Sequence, residues 1–481
     1  MSENVLDDLA HGVSSTNDQA FAIETNGINS IPLTERHGTP RDLFWIWFAA
    51  NVGFTYIIIG SLAVVLGLGF WPAAAAVVIG NLVYFLVGLA AIPGPKAATA
   101  TIVAARSAFG VLGTLPSTFL SWITVVGWEA VMVVIGTLSL SEIAVIVGLP
   151  EGNVTRAASL VIVMVATFTV SIWGHATILA MNKILSVLLG VGTLIMGILV
   201  LPHLNVSFVG GELAAPSTLA TWLIAVTIIA ALPLSWVNYP ADYSRYLSPS
   251  TSSRSIALNT AFGSAIPAVL IGLVGVAAAT ATDMSDPLAG LRNLLPVWFL
   301  VPYLLVIVGG TITNNFLNTY SSGLNLQALG VKLPRHKAVL IDAVLAGIAS
   351  IYAVFVFDFT SSFIQFLSLM IIWLAPWLGI YLADIWLRRN TYEPAALHQR
   401  GGGRYWYQGG WNWPALAAFA AGIIAAALFA NAPIYVGPLV PLIGGGDISI
   451  LAGFIVAGLL YVVLARRTAT PVDLASQTNG V

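Results

Sequence analysis

The chain has 481 residues, 58% of them hydrophobic and 8% charged, with a mean hydropathy of +0.91 and a formal net charge of −2. A soluble domain carries roughly 25% charged residues, so this composition excludes an ordinary wetted surface and places the chain in a bilayer. Scattered basic residues exclude a nucleic-acid patch, and the absence of cysteine excludes disulfides and thiolate metal sites.

Residues 1–40 are polar, with no apolar h-region and no small-residue cleavage site, and read as a cytoplasmic tail. Residues 467–481 read the same way. Between the tails, runs of about twenty or more apolar residues, each enough to cross the hydrocarbon core as a helix, lie at 43–69, 72–93, 115–147, 155–174, 180–201 and 218–239. Six more lie at 256–281, 297–320, 338–356, 361–387, 413–432 and 446–465. The sequence therefore predicts an all-α integral membrane protein with twelve transmembrane helices. With the N-terminus inside, every Lys and Arg except Arg156 and Arg292 falls in an inner segment. That asymmetry predicts a multi-pass protein of the plasma (cytoplasmic) membrane with both termini cytoplasmic.

The first span carries FAANVGFTY, with Asn51, Gly53 and Thr55 about a third of the way across. The sixth carries AALPLSWVNYP, with Pro233, Ser235, Trp236 and Asn238 before Pro240. Pro233 frees a carbonyl that in lipid must find a neighbour or a wet cavity. A lone proline is often a plain kink. Interruptions in spans five helices apart, however, match the positions where inverted-repeat transporters build their sites.

The third span raises a separate question, because Glu129 stands near the middle of an apolar run with no positive charge in it. An ionisable group at that depth is a functional candidate by default. It is read as a group hydrogen-bonded to substrate or carrying a coupling proton. The plainer alternative is a neutral Glu bonded to a backbone carbonyl. Asp242, Asp342 and Asp384 lie near helix ends beside basic residues, where interfacial pairing explains them.

The eighth span, GGTITNNFLNTYSSGL, places Thr311, Asn314, Asn315, Asn318 and Ser321 along one face. Interhelical glue also uses such residues, but three Asn within five positions favour binding. The six histidines are dispersed, no HExxH or G-x-S-x-G occurs, and no phosphate-binding loop precedes a helix, so no enzyme signature emerges. A TVGYG-type channel filter is absent too. An ion channel or a non-transporting substrate sensor stay as readings of another class.

Six stretches in order then carry a resemblance: ERHGTPRDLFWIWFAANVG, GNLVYFLVGLAAIPGPKAATATIVAARSAFGVLG, the GW of VVGWEA, WVNYPADYSRYLSP, NNFLNTYSSGL and PWLGIYLADIWLRRNTYE. Together they resemble the nucleobase:cation symporter-1 family, closest to its purine/cytosine permease branch. The resemblance implies a LeuT-type fold of two inverted five-helix repeats, 41–201 and 218–387, followed by a cytoplasmic loop and two accessory spans in 388–466. It implies secondary active import of a planar heterocycle, a nucleobase such as cytosine or a purine, coupled to H⁺ or Na⁺ and without a cofactor. A vitamin-like or hydantoin/allantoin-type cargo is the alternative. The expected partners are that small molecule and the lipid bilayer, and a monomer is compatible with everything read here.

By the same resemblance Trp128 stacks on the substrate ring, which suits offset stacking on indole; core packing is its plainer role. Trp236 is the second ring contact, Asn51 and Ser235 flank the site, and Asn314, Asn315 and Asn318 suit the donor-and-acceptor edge of a base. For the cation, Thr313 matches one sodium-binding hydroxyl of the relatives. Asn314 stands where a second would sit, and Gly310 offers no side chain. That incomplete shell tilts the reading toward protons, with Glu129, Thr313 and Asn314 as the coupling residues.

Overall fold

The structure, a computed structural model, describes residues 28–472 apart from 174, 332, 334 and 358. Most of the first tail, the end of the second, and Lys332 lie outside the described residues. Fourteen helices carry the architecture. The first six are α1 (Pro40–Ala50), α2 (Phe54–Val65), α3 (Phe70–Asn81), α4 (Tyr84–Ala90), α5 (Leu115–Ile146) and α6 (Asn153–Trp173). Then come α7 (His175–Val200), α8 (Thr218–Ser235), α9 (Ser253–Ala279) and α10 (Val297–Ala328). The last four are α11 (Arg335–Phe355), α12 (Phe359–Leu387), α13 (Trp413–Phe429) and α14 (Ser449–Ala465).

By length and hydropathy, eight helices among the described residues can cross a membrane, and the α1–α2 pair, bent by 64°, makes a ninth. Three further apolar helices are shorter, at Asn153–Thr169, Trp413–Phe429 and Ser449–Ala465. Large apolar side chains are exposed along these helices, including Leu188, Leu194, Ile348 and Leu459. Exposed apolar surface on this scale is what a lipid-facing wall requires. The chain is a multi-pass membrane protein.

The first run read from the sequence as 43–69 is broken at Asn51–Gly53, and the second, 72–93, is broken at Leu82–Val83. Span eight runs on to Ala328, about two turns past its apolar stretch, because its polar end is buried between neighbours.

Two groups of helices make the body. In one, α9 packs on α1, α2 and α4, and α8 packs on α3. In the other, α10 packs on α5, with α6 and α11 on both and α7 on α10. Helices α13 and α14 pack on each other and on α12. The α2–α9 crossing is close because both faces are stripped of side chain. A Cβ on Gly60 would stand 2.0 Å from the Gly272 carbonyl oxygen, and one on Gly275 would stand 2.2 Å from that of Ile57. Small residues at such crossings let backbones approach where lipid offers no hydrophobic drive.

Candidate functional site

The two groups meet around a cavity of about 70 Å³ at the interruptions of the first and sixth spans. Four elements line it: the α1–α2 break, α5, the end of α8 with the turn that follows, and α10.

The first interruption is built by Asn51 and Gly53. Asn51 caps α1 at φ −103, and Gly53 enters α2 in an extended conformation. Asn51 is fully buried; its Nδ2 donates to the Trp47 carbonyl at 2.7 Å, and its Oδ1 accepts from the hydroxyls of Tyr56 and Tyr84. The break thus has its orphan polar groups satisfied from the next span, as lipid demands. At the second interruption, Pro233 offers no N–H to the helix, α8 ends at Ser235, and Pro240 starts the short helix Pro240–Ser244. The Ser235 hydroxyl donates to the Leu232 carbonyl at 2.6 Å.

On α5, Val125, Trp128 and Met132 face the cavity at helical spacing. The Trp128 ring is braced edge-on by Phe366 at 5.4 Å and Phe363 at 6.1 Å, and its Nε1 has no hydrogen-bond partner among the described residues. An indole in a cavity wall suits offset stacking on a flat ligand. Trp236 meets Trp47 edge-on at 5.4 Å and Tyr239 at 6.2 Å. From α10 come Asn314, Asn318 and Ser321.

Five of the residues expected at the site therefore line one cavity: Trp128, Ser235, Trp236, Asn314 and Asn318. Asn51, Glu129 and Asn315 are fully buried behind its walls. Asn315 Nδ2 donates to the Glu129 carbonyl at 3.0 Å, and Asn315 Oδ1 accepts from Asn318 Nδ2 at 3.0 Å. Thr313 is turned away, its hydroxyl within 3.2 Å of the Gly309 and Gly310 carbonyls. A second cavity, of about 50 Å³, shares Gly53, Trp236 and Asn314 with the first and adds Ser186, Gly310 and Thr311. Among the described residues no three His, Asp or Glu side chains converge to hold a metal.

Two wider cavities flank these. One is walled by His37, Asp42 and Asp242 and shares Tyr243 and Ser321 with the central cavity. The other holds Arg156 and Asp286 and shares Phe54 and Ile135 with the second cavity.

Interfacial pairing holds for Asp384, whose Oδ1 is 2.9 Å from Arg388 Nε. Asp342 is 0% exposed and has no ion-pair partner among the described residues, which leave out its basic neighbour Lys332 and the side chain of Arg335. The helix carries Asp342 inward to Trp122, whose Nε1 donates to its Oδ1 at 3.2 Å. Asp242 accepts from the backbone N–H and hydroxyl of Thr101 at 2.7 and 2.8 Å. The sequence reading missed Tyr239, Tyr243 and Met132 as lining residues. Tyr239 and Tyr243 stand three and seven residues after Trp236, a spacing that could have found them.

With this geometry in place, the family profile described as permease for cytosine/purines, uracil, thiamine, allantoin matches residues 30–474. The chain belongs to that permease family, the nucleobase:cation symporter-1 family, in its purine/cytosine branch. The putative purine-cytosine permease YxlA of Bacillus subtilis is 28% identical over 92% of this chain and 96% of its own length. The purine-cytosine permease fcyB of Emericella nidulans is 24% identical over 92% and 88%. The inward-facing structure of Mhp1 superposes with a TM-score of 0.74 at 20% identity, covering 94% of this chain and 95% of Mhp1. That likeness shows the fold. The protein is a permease of heterocyclic compounds in a membrane; it is not an enzyme.

Proposed function

We propose that this permease imports a nucleobase, cytosine or a purine, by cation symport with alternating access, H⁺ slightly favoured over Na⁺. The observation that carries the reading is the meeting of two tryptophans, Trp128 and Trp236, with two amides, Asn314 and Asn318, in one cavity at two helix interruptions. Indole faces take a planar ring, and amides supply donor and acceptor to its edge. A vitamin-like or hydantoin-type cargo is the second reading. It draws on the vitamin B6 transporter TPN1 of Saccharomyces cerevisiae, 26% identical over 66% of this chain and 58% of its own length, and on the bromovinylhydantoin bound in a closed form of Mhp1.

The same proposal takes twelve spans in two inverted five-helix repeats, with α13 and α14 accessory and both termini cytoplasmic. Mirrored contacts support it: the first span on the seventh and the second on the sixth, the third on the ninth and the fourth on the eighth. Glu129 is the coupling group, connected to the cavity through Asn315 and Asn318. Sodium would instead sit near Thr313 and Asn314. The hydroxyl of Thr313 is already directed at two helix carbonyls, which supports the proton reading.

Uptake of labelled cytosine and hypoxanthine into proteoliposomes, with Na⁺ and H⁺ gradients imposed separately, tests it. Saturable uptake driven by the pH gradient and lost in Trp128→Ala is expected. Currents insensitive to any heterocycle would mark a channel, and binding without uptake a sensor; either sinks the proposal.

A further inference from the structure

Behind the cavity, α5, α10 and α11 enclose a polar column that substrate contact does not use. α5 supplies Trp122 and, two turns on, Glu129; α10 supplies Thr319 and Ser322; α11 supplies Asp342. Glu129 and Asp342 are both 0% exposed. Trp122 Nε1 donates to Ser322 Oγ at 3.0 Å and to Asp342 Oδ1 at 3.2 Å. Thr319, one turn before Ser322, stands one turn after Asn315, which holds the Glu129 backbone carbonyl, and donates to the Asn315 carbonyl at 2.8 Å. Both carboxyl oxygens of Glu129 and Oδ2 of Asp342 are buried with no hydrogen-bond partner among the described residues. Three such acceptors in one column call for an explanation, because buried polar atoms are nearly always partnered.

Among the described residues no cation answers them. On α5 the other acid, Glu142, pairs with Arg292 at 3.1 Å. On α6, Arg156 lines the far flanking cavity. On α10, Tyr303 meets Thr193 at 3.0 Å and Tyr320 lines the opposite flanking cavity. On α11, Lys337 and Tyr352 face outward, and Asp384 of α12 is bound to Arg388. The two carboxyls share one desolvated column, Glu129 standing two turns along α5 from Trp122, whose indole N–H meets Asp342. Two acids so placed cannot both ionise at depth, and they titrate as a pair. A metal ion suits the column badly. It needs several oxygen ligands, whereas the indole N–H only donates and, among the described residues, no third acid or His joins.

We propose that Glu129 and Asp342 are the two ends of a proton-binding site, separate from the substrate cavity, that share one proton passed along Thr319 and Ser322. The proposal rests on the cation-coupled reading above. In the transfer the Glu129 acid gives its O–H proton to the Thr319 oxygen. Thr319 and Ser322 each hand their own hydroxyl proton onward, and the Asp342 carboxylate takes the last. Glu129 ends as carboxylate, Asp342 as carboxylic acid, and both hydroxyls stay neutral. Substrate reaches this column through Asn318 and Asn315, because Asn315 holds both the Glu129 carbonyl and the Thr319 hydroxyl.

The test combines infrared titration of the purified full-length protein with transport in proteoliposomes. Wild type, Glu129→Gln, Asp342→Asn and Thr319→Val are compared by their carboxylic-acid C=O bands. In a shared site, removing one acid moves the titration of the other by more than about one pH unit; bands that simply vanish without moving the other overturn the pair. In transport, Asp342→Asn and Thr319→Val should keep wild-type substrate counterflow and lose accumulation driven by a pH gradient. Undiminished pH-driven accumulation in both overturns the route. Should Asp342→Asn fail to fold, Glu129→Gln, read on the Asp342 band, carries the infrared readout and Thr319→Val carries the transport readout. If wild type accumulates substrate on Na⁺ alone while the two infrared titrations stay linked, the coupling reading fails and the proton pair stands.

Discussion

The side-chain amide of Asn315 donates to the backbone carbonyl of Glu129 at 3.0 Å, so a residue of α10 grips α5 in mid-helix directly beside its one buried acid. The same amide accepts from Asn318 in the cavity wall. Asn315→Leu leaves the Asn318 donor unpaired, at a cost of about 1–3 kcal/mol. A lowered thermal midpoint, together with substrate binding that no longer changes with pH, is expected; a pH dependence like that of wild type would show that the grip carries no signal.

Trp128 lines the cavity and packs nearly perpendicular to Phe363 and Phe366. Trp128→Phe preserves a ring and Trp128→Ala removes it. An aromatic pair contributes about 0.5–1.5 kcal/mol beyond its area, so the Ala variant should bind substrate several-fold more weakly than the Phe variant. Calorimetric titration of both proteins with one nucleobase decides it, and equal affinities would reduce Trp128 to packing.

Gly60 faces the backbone of Gly272 with no room for a side chain. Gly60→Val forces α2 and α9 apart, and the protein should be lost from the monodisperse peak in size-exclusion chromatography. Gly211, where an added Cβ meets nothing, serves as the control: Gly211→Ala should run as wild type.

Asp384 and Arg388 form a buried pair at the end of α12, 1% and 0% exposed in the order Arg388, Asp384. Asp384 also accepts from Tyr461 of α14 at 2.7 Å and from Ser107 at 2.6 Å, so one carboxylate ties three segments. Removing one partner of such a pair costs about 3–5 kcal/mol. Asp384→Ala should melt well below wild type, and Asp384→Ala with Arg388→Met should recover part of that loss.

His398 lies in the connection between α12 and α13, outside the spans. Burial first, and Arg106 second, hold its imidazole below the ordinary range. Between that lowered value and about 6.5 the unfolded chain binds the extra proton. Stability is therefore fully present above about pH 6.5 and falls as the pH drops toward the folded value. Thermal melts across that window should show the slope, and His398→Asn should flatten it.

Much of this was legible in the sequence because lipid narrows the choices. Apolar runs located the helices, and Asn51–Gly53 and Pro233–Pro240 marked both interruptions. Asn314 and Asn318 stood out because amides clustered at depth have few plain reasons to be there, whereas Trp128 and Trp236 came from the family resemblance; all four line the cavity. Periodicity could not tell Asn315 from Asn314: consecutive residues differ by about 100° around a helix, and only the position of α5 decides which faces the cavity. Asp342 was misread for the same reason. Its place near a helix end suggested pairing, whereas α5 and α10 close over it and Trp122 meets it. The break in the second span at Leu82–Val83 carries no Gly or Pro between the two helices, and so left no mark.

The bonding of Asn51 has a mechanical consequence. An unwound stretch in a membrane helix is ordinarily a soft joint. Here the side-chain oxygen of Asn51 is cross-braced by hydroxyls of Tyr56 on α2 and Tyr84 on α4, in the neighbouring span, while its side-chain nitrogen is tied back to α1. The first and second spans then swing as one lever instead of flexing at the joint. Any tilt that opens one mouth of the cavity is transmitted rigidly along α4 toward the Gly94–Ala97 turn at its far end.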